Sequence, residues 1–322
     1  MCKSNLRQSA NLIYGSYIAF FACVVLISSG AIAQSIPDNE VSAFELAQLT
    51  VQPGEQVSGE IPVSSGTASN PEASFIPVTI THGPKPGPVL ALIAGIHGSE
   101  YAPIMAMQGL PELIDPASLS GTLIVVHVAN MPAFQGRTIY FGPGDLKNLN
   151  RSFPGVADGT ITERIAYTLT QQVMMRSDYL IDIHAGDGNE KLRPSYSAYY
   201  AEAGGETVVQ ESRRIAVAFG LDTIVQFAGS YDSAEDAIYT SAQAVTLGIP
   251  AMDVESGELA RTDGAYVDPI IAGVLSVLRE LNMIAGEPDL PPNPLFISDR
   301  ARVYSEQNGI WRADPLVQSG DY

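Results

Sequence analysis

The sequence predicts a layered α/β fold around a largely parallel sheet. Three observations carry that prediction. Four continuous apolar runs of strand length recur along the chain, as expected of strands covered on both faces. Stretches of helical periodicity lie between them, the alternation that builds parallel sheets. A chain of 322 residues, 46% of them hydrophobic, can also bury a large core.

The first 33 residues are expected to be a leader rather than part of the fold. Lys3 and Arg7 form a positive start, 17–27 is a short apolar run, and Ala31-Ile32-Ala33 gives a small-x-small cleavage signal before Gln34. The run is too short for a comfortable transmembrane span. An uncleaved anchor is the alternative, and a lipoprotein modified at Cys23 ranks below it because the apolar run continues past that residue. The expected location is therefore exported, periplasmic or secreted, with no membrane attachment after cleavage. Both cysteines, Cys2 and Cys23, fall in the leader, so the mature chain has no disulfide, thiolate metal site or cysteine nucleophile. Any metal must be held by nitrogen and oxygen. Cleavage removes two of 17 basic residues and no acidic one, taking the net charge from −18 to −20. So acidic a surface repels phosphate backbones, which argues against nucleic acid as a partner.

The remaining elements follow in order. Residues 34–85 read as a β-rich N-terminal segment, with alternation at 57–63. After the turn signal at 83–88, the apolar runs fall at 89–96, 121–129, 179–183 and 250–254. Helical patterns cover 163–176, 206–219 and, most clearly, 269–281. The fold domain is expected to close near 286. Residues 287–322 then read as a proline-rich linker and a small β-module that stops after a turn signal.

The strand at 89–96 runs straight into His97-Gly98-Ser99-Glu100, and the strand at 179–183 ends on His184. Ligands of open α/β sheets sit at the carboxyl ends of strands, so both segments are placed for a site. Two histidines and a carboxylate, with a fourth position left for water, form the ligand set of a hydrolytic zinc. His97, Glu100 and His184 are the candidate ligands of one Zn2+ per chain. The other two histidines, His82 before a turn and His127 within a strand, read as structural. Asp182 shares a face with His184, which allows it either to orient that ligand or to be an ordinary buried acceptor. Glu255 ends the strand at 250–254 and is the candidate general base; an exposed loop or helix-cap role is the alternative. Arg137 and the segment 148–155 collect positive charge. There Arg151 beside Asn150 suits recognition of an anionic substrate group.

The series GIHGSEY (95–101), NMPAF…R (130–137), DLKNLNRSFPG (145–155), DYLIDIHAGD (178–187) and VESG (254–257) resembles the succinylglutamate desuccinylase/aspartoacylase family, within the wider zinc carboxypeptidase-like hydrolases. The resemblance covers roughly 51–284. It implies a three-layer α/β/α domain with a mixed central sheet, zinc on the three ligands above, and Glu255 as general base. It also implies that Arg137 stabilises the oxyanion and that Asn150 with Arg151 clamps a substrate carboxylate. The family's C-terminal β-domain resembles 309–322, where it is cut short. The expected activity is deacylation of N-acyl amino acids or similar small anionic amides by metal-activated water. A zinc carboxypeptidase acting on peptides or peptidoglycan fragments is the alternative. A zinc-dependent binding protein without turnover ranks third, since Glu255 is intact.

Overall fold

The computed structural model describes residues 41–67, 72–191, 195–299, 301 and 304–309. The leader and the segment 310–322 lie outside the described residues. Eleven strands and six α-helices are formed among the described residues. In chain order these are β1 (Phe44–Leu46), β2 (Leu49–Val51), β3 (Glu55–Val63), β4 (Ser74–His82), β5 (Lys85–Ala94), α1 (Tyr101–Gly109), β6 (Ser120–Val126), α2 (Met131–Gly136), α3 (Ile161–Thr168) and β7 (Tyr179–His184). They continue with β8 (Tyr196–Tyr200), α4 (Glu206–Ala218), β9 (Thr223–Phe227), α5 (Thr240–Thr246), β10 (Ala251–Glu255), α6 (Gly264–Glu280) and β11 (Leu295–Ile297).

β1 and β2 pair as a two-stranded sheet, and the other nine strands form one sheet in the order β11-β9-β8-β10-β7-β5-β6-β4-β3. The centre is parallel: β6, β5, β7 and β10 run the same way. β3–β4, β4–β6 and β10–β8 are antiparallel, so the sheet is mixed. The central runs are apolar on both faces because helices cover both. Ala91, Ile93, Leu180 and Ala251 pack with Ile161 and Ile165 of α3 and with Ala242 and Val245 of α5. The opposite face, with Leu90, Leu92, Ile181 and Met252, packs against α1, α4 and α6. The result is the three-layer α/β/α sandwich, with a core on each side of the sheet.

All four apolar runs are strands, shifted by a few residues. The run at 89–96 begins earlier, at Lys85, and leaves the sheet after Ala94. The helix read from 269 begins at Gly264, leaving Pro269 in its second turn instead of at its start. Asp263 explains the earlier start, because its carbonyl accepts from the backbone N–H groups of Tyr266 and Val267. Leu295–Ile297, read as the opening of a separate module, adds to the edge of the main sheet beside β9. Among the described residues, no helix is long and apolar enough to cross a membrane.

Candidate metal centre and active-site cavity

The carboxyl ends of three neighbouring strands, β5, β7 and β10, build the site. β5 ends at Ala94, three residues before His97, and the chain turns sharply there. Gly95 has φ +70°, a conformation that favours glycine, and a Cβ on Gly98 would lie 2.2 Å from the Phe134 backbone nitrogen. This tight turn sets His97 at the sheet rim and Glu100 at the N-cap of α1, where a carboxylate suits the helix dipole. Glu100 makes no side-chain cap hydrogen bond. Its two oxygens face histidines instead: Oε1 is 2.6 Å from His97 Nδ1 and Oε2 is 2.9 Å from His184 Nδ1. All three side chains are buried, with His97 9%, Glu100 3% and His184 4% exposed.

The far nitrogens show what this cluster fits. His184 Nε2 lies 2.9 Å from Asp182 Oδ2, and His97 Nε2 lies 3.2 Å from Asn148 Oδ1. When each Nε2–H donates to its oxygen, each Nδ1 turns a lone pair toward the Glu100 carboxylate. Three acceptors then face one another in a buried space, an arrangement that requires a cation or extra protons. The metal-free electrostatics agree. Burial opposes every charge here, yet Asp182 and Glu100 hold the His184 pKa well above its ordinary value. Burial likewise opposes charge on Glu100, and the two histidines outweigh it and hold that carboxyl down to about 2. A nitrogen-and-oxygen donor set of this kind fits Zn2+.

Glu255 is paired with His184 across β10 and β7. Burial pushes its carboxyl up to about 8, and its Oε2 has no hydrogen-bond partner. It lines a cavity of ≈ 340 Å³ together with His97, His184, Asn150 and Arg151. Asn150 is fixed by its Oδ1, which accepts from Thr240 N at 2.9 Å and Thr240 Oγ1 at 3.0 Å. Its Nδ2 lies 3.4 Å from His184 Nε2. Arg151 donates to the Asn150 carbonyl at 2.6 Å and stacks 4.2 Å above the Tyr239 ring. The structure thus brings together six of the seven site residues read from sequence. Arg137 is the exception: it is exposed, caps α2 in a left-handed conformation at φ +52°, and is absent from the cavity lining.

Sequence reasoning missed part of the surroundings. Asn148 serves both sides of the site, since its Oδ1 meets His97 and also accepts from Asn150 N at 2.8 Å. Tyr140 packs edge-on against His97 at 5.6 Å and donates to Glu190. Ser99 donates to the buried Asp187. The far wall of the cavity is aromatic, with Tyr196, Tyr200, Phe227, Tyr231 and Tyr239, and its floor carries Asp253. Burial and the charge of Asp182 raise the Asp253 pKa to about 7. The spacing of Asp253 and Glu255 repeats that of Asp182 and His184, a period-two signal that could have found it. His82 and His127 are absent from the cavity lining. His82 meets Thr122 Oγ1 and the Ser42 carbonyl at 2.8 and 2.9 Å, and His127 meets Thr79 Oγ1 at 2.8 Å.

Comparison with known proteins adds a second line. The chain is 28% identical over 259 residues to an N-alpha-acetyl-L-2,4-diaminobutyric acid deacetylase of Halomonas elongata, covering 76% of this chain and 72% of that one. A succinylglutamate desuccinylase/aspartoacylase structure from Rhodobacter sphaeroides matches with TM-score 0.62 and 25% identity, over 73% of this chain and 68% of that one. The product-bound ectoine utilization protein EutE of Ruegeria pomeroyi shares the fold, with TM-score 0.68 and 24% identity over 81% and 77% of the two chains. The model of the succinylglutamate desuccinylase/aspartoacylase catalytic domain matches residues 86–281, a stretch that contains His97, Glu100, His184 and Glu255. With most of the chain and the whole strand-end cluster inside that match, this protein belongs to the succinylglutamate desuccinylase/aspartoacylase family.

Proposed function

We propose that the protein is a zinc-dependent deacylase that removes the acyl group from N-acyl amino acids. It belongs to a family of deacylases, hydrolases of amide bonds. The observation that carries the finer reading is the placement of Glu255. Its buried, unpartnered oxygen stands beside a three-donor cluster within one cavity. His97, Glu100 and His184 would hold the zinc, which when bound supplies the positive charge that acidifies the attacking water and polarises the scissile carbonyl.

The remaining work falls to the chain's own side chains. Glu255 takes a proton from the water as the oxygen attacks the amide carbon, and returns it to the amine as the carbon–nitrogen bond breaks. Burial suits it to that exchange, because it raises proton affinity toward neutral pH. Asn150 and Arg151 hold the substrate carboxylate, with the guanidinium braced on the Tyr239 ring. Asp182 and Asn148 keep the two imidazoles turned so that each Nδ1 faces the metal position. Export belongs to the same proposal and is supported by the leader pattern at 1–33.

The test is turnover on a panel of N-acetyl, N-succinyl and N-formyl amino acids and C-terminal dipeptides, with chelator and with zinc restored. Chelator-sensitive release of free amino acid from the acylated substrates is the expected result. Cleavage confined to the dipeptides would make it a carboxypeptidase. Zinc binding with no cleavage at all would leave a binding protein.

A further inference from the structure

The segment that carries Asn150 and Arg151 is laced to the chain entering α5. Three contacts run in opposite order along the two stretches. Asn150 meets Thr240, the Arg151 guanidinium lies 4.2 Å over the Tyr239 ring, and Phe153 N donates to the Ile238 carbonyl at 3.3 Å. Thr240 is the first residue of α5 and is fully buried. The first N–H groups of a helix have no partner within it. That of Thr240 goes to Asn150 Oδ1 at 2.9 Å, and the Thr240 hydroxyl donates to the same oxygen at 3.0 Å.

Two donors on one oxygen decide which way the amide points. A side-chain amide is ambivalent, with an acceptor on one arm and two donor hydrogens on the other. Turned over, Asn150 would set its Nδ2 hydrogens against the Thr240 N–H, donor against donor. Held as it is, its oxygen is occupied and its Nδ2 lies 3.4 Å from His184 Nε2 at the cavity. With the His184 Nε2 proton given to Asp182, that nitrogen has no lone pair to offer, so the amide hydrogens are left for a ligand. The clamp then presents donors only, from Asn150 Nδ2 and from the Arg151 guanidinium. A carboxylate supplies acceptors only and fits it. A carboxamide must bring its own N–H groups against one of these donors.

We infer that Thr240 is a positioning residue that sets the clamp's choice of a carboxylate over a carboxamide, acting through the orientation of Asn150. This deepens the deacylase reading and rests on it for the role of the clamp. The backbone N–H at position 240 would meet Asn150 Oδ1 whatever the side chain, so the hydroxyl is the part that the sequence chooses. Without it the amide is held by one donor instead of two and turns more freely. Its grip on a carboxylate weakens, and its exclusion of a carboxamide relaxes. Molecules with a free carboxylate are accepted, and the same molecules capped as amides are turned away.

The test compares the acylated amino acid that the panel cleaves fastest with the same molecule carrying a carboxamide in place of its carboxylate. Thr240→Val is expected to raise KM for the acid by about three- to tenfold, the loss of one hydrogen bond, with kcat within about twofold of wild type. The ratio of acid to carboxamide in kcat/KM is expected to fall with it. Thr240→Ser, which keeps the hydroxyl, is expected to hold the wild-type ratio. A ratio taken within one sample is independent of the folded fraction, so partial misfolding of a variant does not imitate the result. Calorimetric binding of N-acetyl-leucine and N-acetyl-leucinamide to zinc-loaded Glu255→Gln, with and without Thr240→Val, reads the same preference without turnover. An unchanged ratio in Thr240→Val, or a Thr240→Ser protein that behaves like it, overturns the inference and leaves Thr240 as packing at a helix start. Absence of cleavage throughout the panel, with a Thr240-dependent preference for the acid still present in binding, overturns the deacylase reading instead and leaves the positioning role standing.

Discussion

His184 Nε2 lies 2.9 Å from Asp182 Oδ2, two residues earlier on the same strand, and this contact turns His184 Nδ1 toward Glu100. Asp182 is fully buried, and its other oxygen has no partner, so its chief engagement is with this ring. Asp182→Ala should weaken zinc affinity by roughly 10–100-fold, the usual effect of removing a group that orients a metal-binding histidine. Competition with a chelating dye measures it. Unchanged affinity would mean that the imidazole is held by its packing alone.

Glu255 separates catalysis from metal binding. Glu255→Gln keeps the shape and removes the proton acceptor, so kcat should fall by roughly 10²–10⁴-fold. Zinc content by atomic absorption should stay at the wild-type level. A variant retaining more than a tenth of wild-type kcat would take Glu255 out of the proton-transfer role.

The two arginines make contrasting predictions. Arg151 lines the cavity, so Arg151→Ala should raise KM by roughly 10–100-fold, which is the loss of about 1.5–3 kcal/mol of charge-assisted hydrogen bonding. Arg137 stands exposed outside the cavity, and Arg137→Ala should lower kcat less than tenfold. A larger loss would show that its loop swings inward when substrate binds.

The metal-free chain should lose stability as pH rises. Burial pushes Glu255 up to about 8 and Asp253 up to about 7, and His184 is also held above its ordinary pKa. All three keep protons in the folded chain at pH values where the unfolded chain has released them. Their contribution is therefore full below the unfolded pKa values and is lost as pH rises through the folded ones. Apparent Tm in chelator should fall between about pH 5 and about pH 8.5, and saturating zinc should flatten the slope. A Tm in chelator that rises over this interval would contradict the assignment.

Gly98 tests the turn that delivers two ligands. A Cβ there would meet the Phe134 backbone nitrogen at 2.2 Å and the Ala133 carbonyl carbon at 2.3 Å, and backbone cannot step aside cheaply. Gly98→Ala should cost about 1–3 kcal/mol of stability. Urea unfolding of the zinc-loaded protein, with zinc affinity measured alongside, reads both effects. Wild-type values for both would show that the turn has slack.

The metal cluster was legible because each ligand follows directly from a strand that the apolar pattern reveals. The four runs of the parallel centre could be read this way, and His97, Glu100, His184 and Glu255 fall at or just beyond the ends of three of them. The aromatic wall was not legible, because it depends on pairing that does not follow chain order. β8 inserts antiparallel beside β10, away from β7, which precedes it in sequence. Its sequence, Tyr-Ser-Ala-Tyr-Tyr, also lacks an apolar run. α1 was missed because Pro103 and Gly109 break up its pattern. The outward position of Arg137 follows from a left-handed helix cap on a non-glycine residue, which composition does not announce.

The reversed direction of β8 has a consequence for how this scaffold can change. The three candidate metal ligands and Glu255 reside on β7, β10 and the turn after β5, whereas most of the aromatic wall resides on β8, β9 and the loop after β9. The strand ends of the donor cluster and most of the aromatic wall are thus written on different stretches of the polypeptide that meet along the β10–β8 ladder. Substitutions from Tyr196 to Tyr231 can retune what is admitted while the bond-breaking apparatus stays intact. A scaffold divided in this way can diversify its diet without relearning its chemistry.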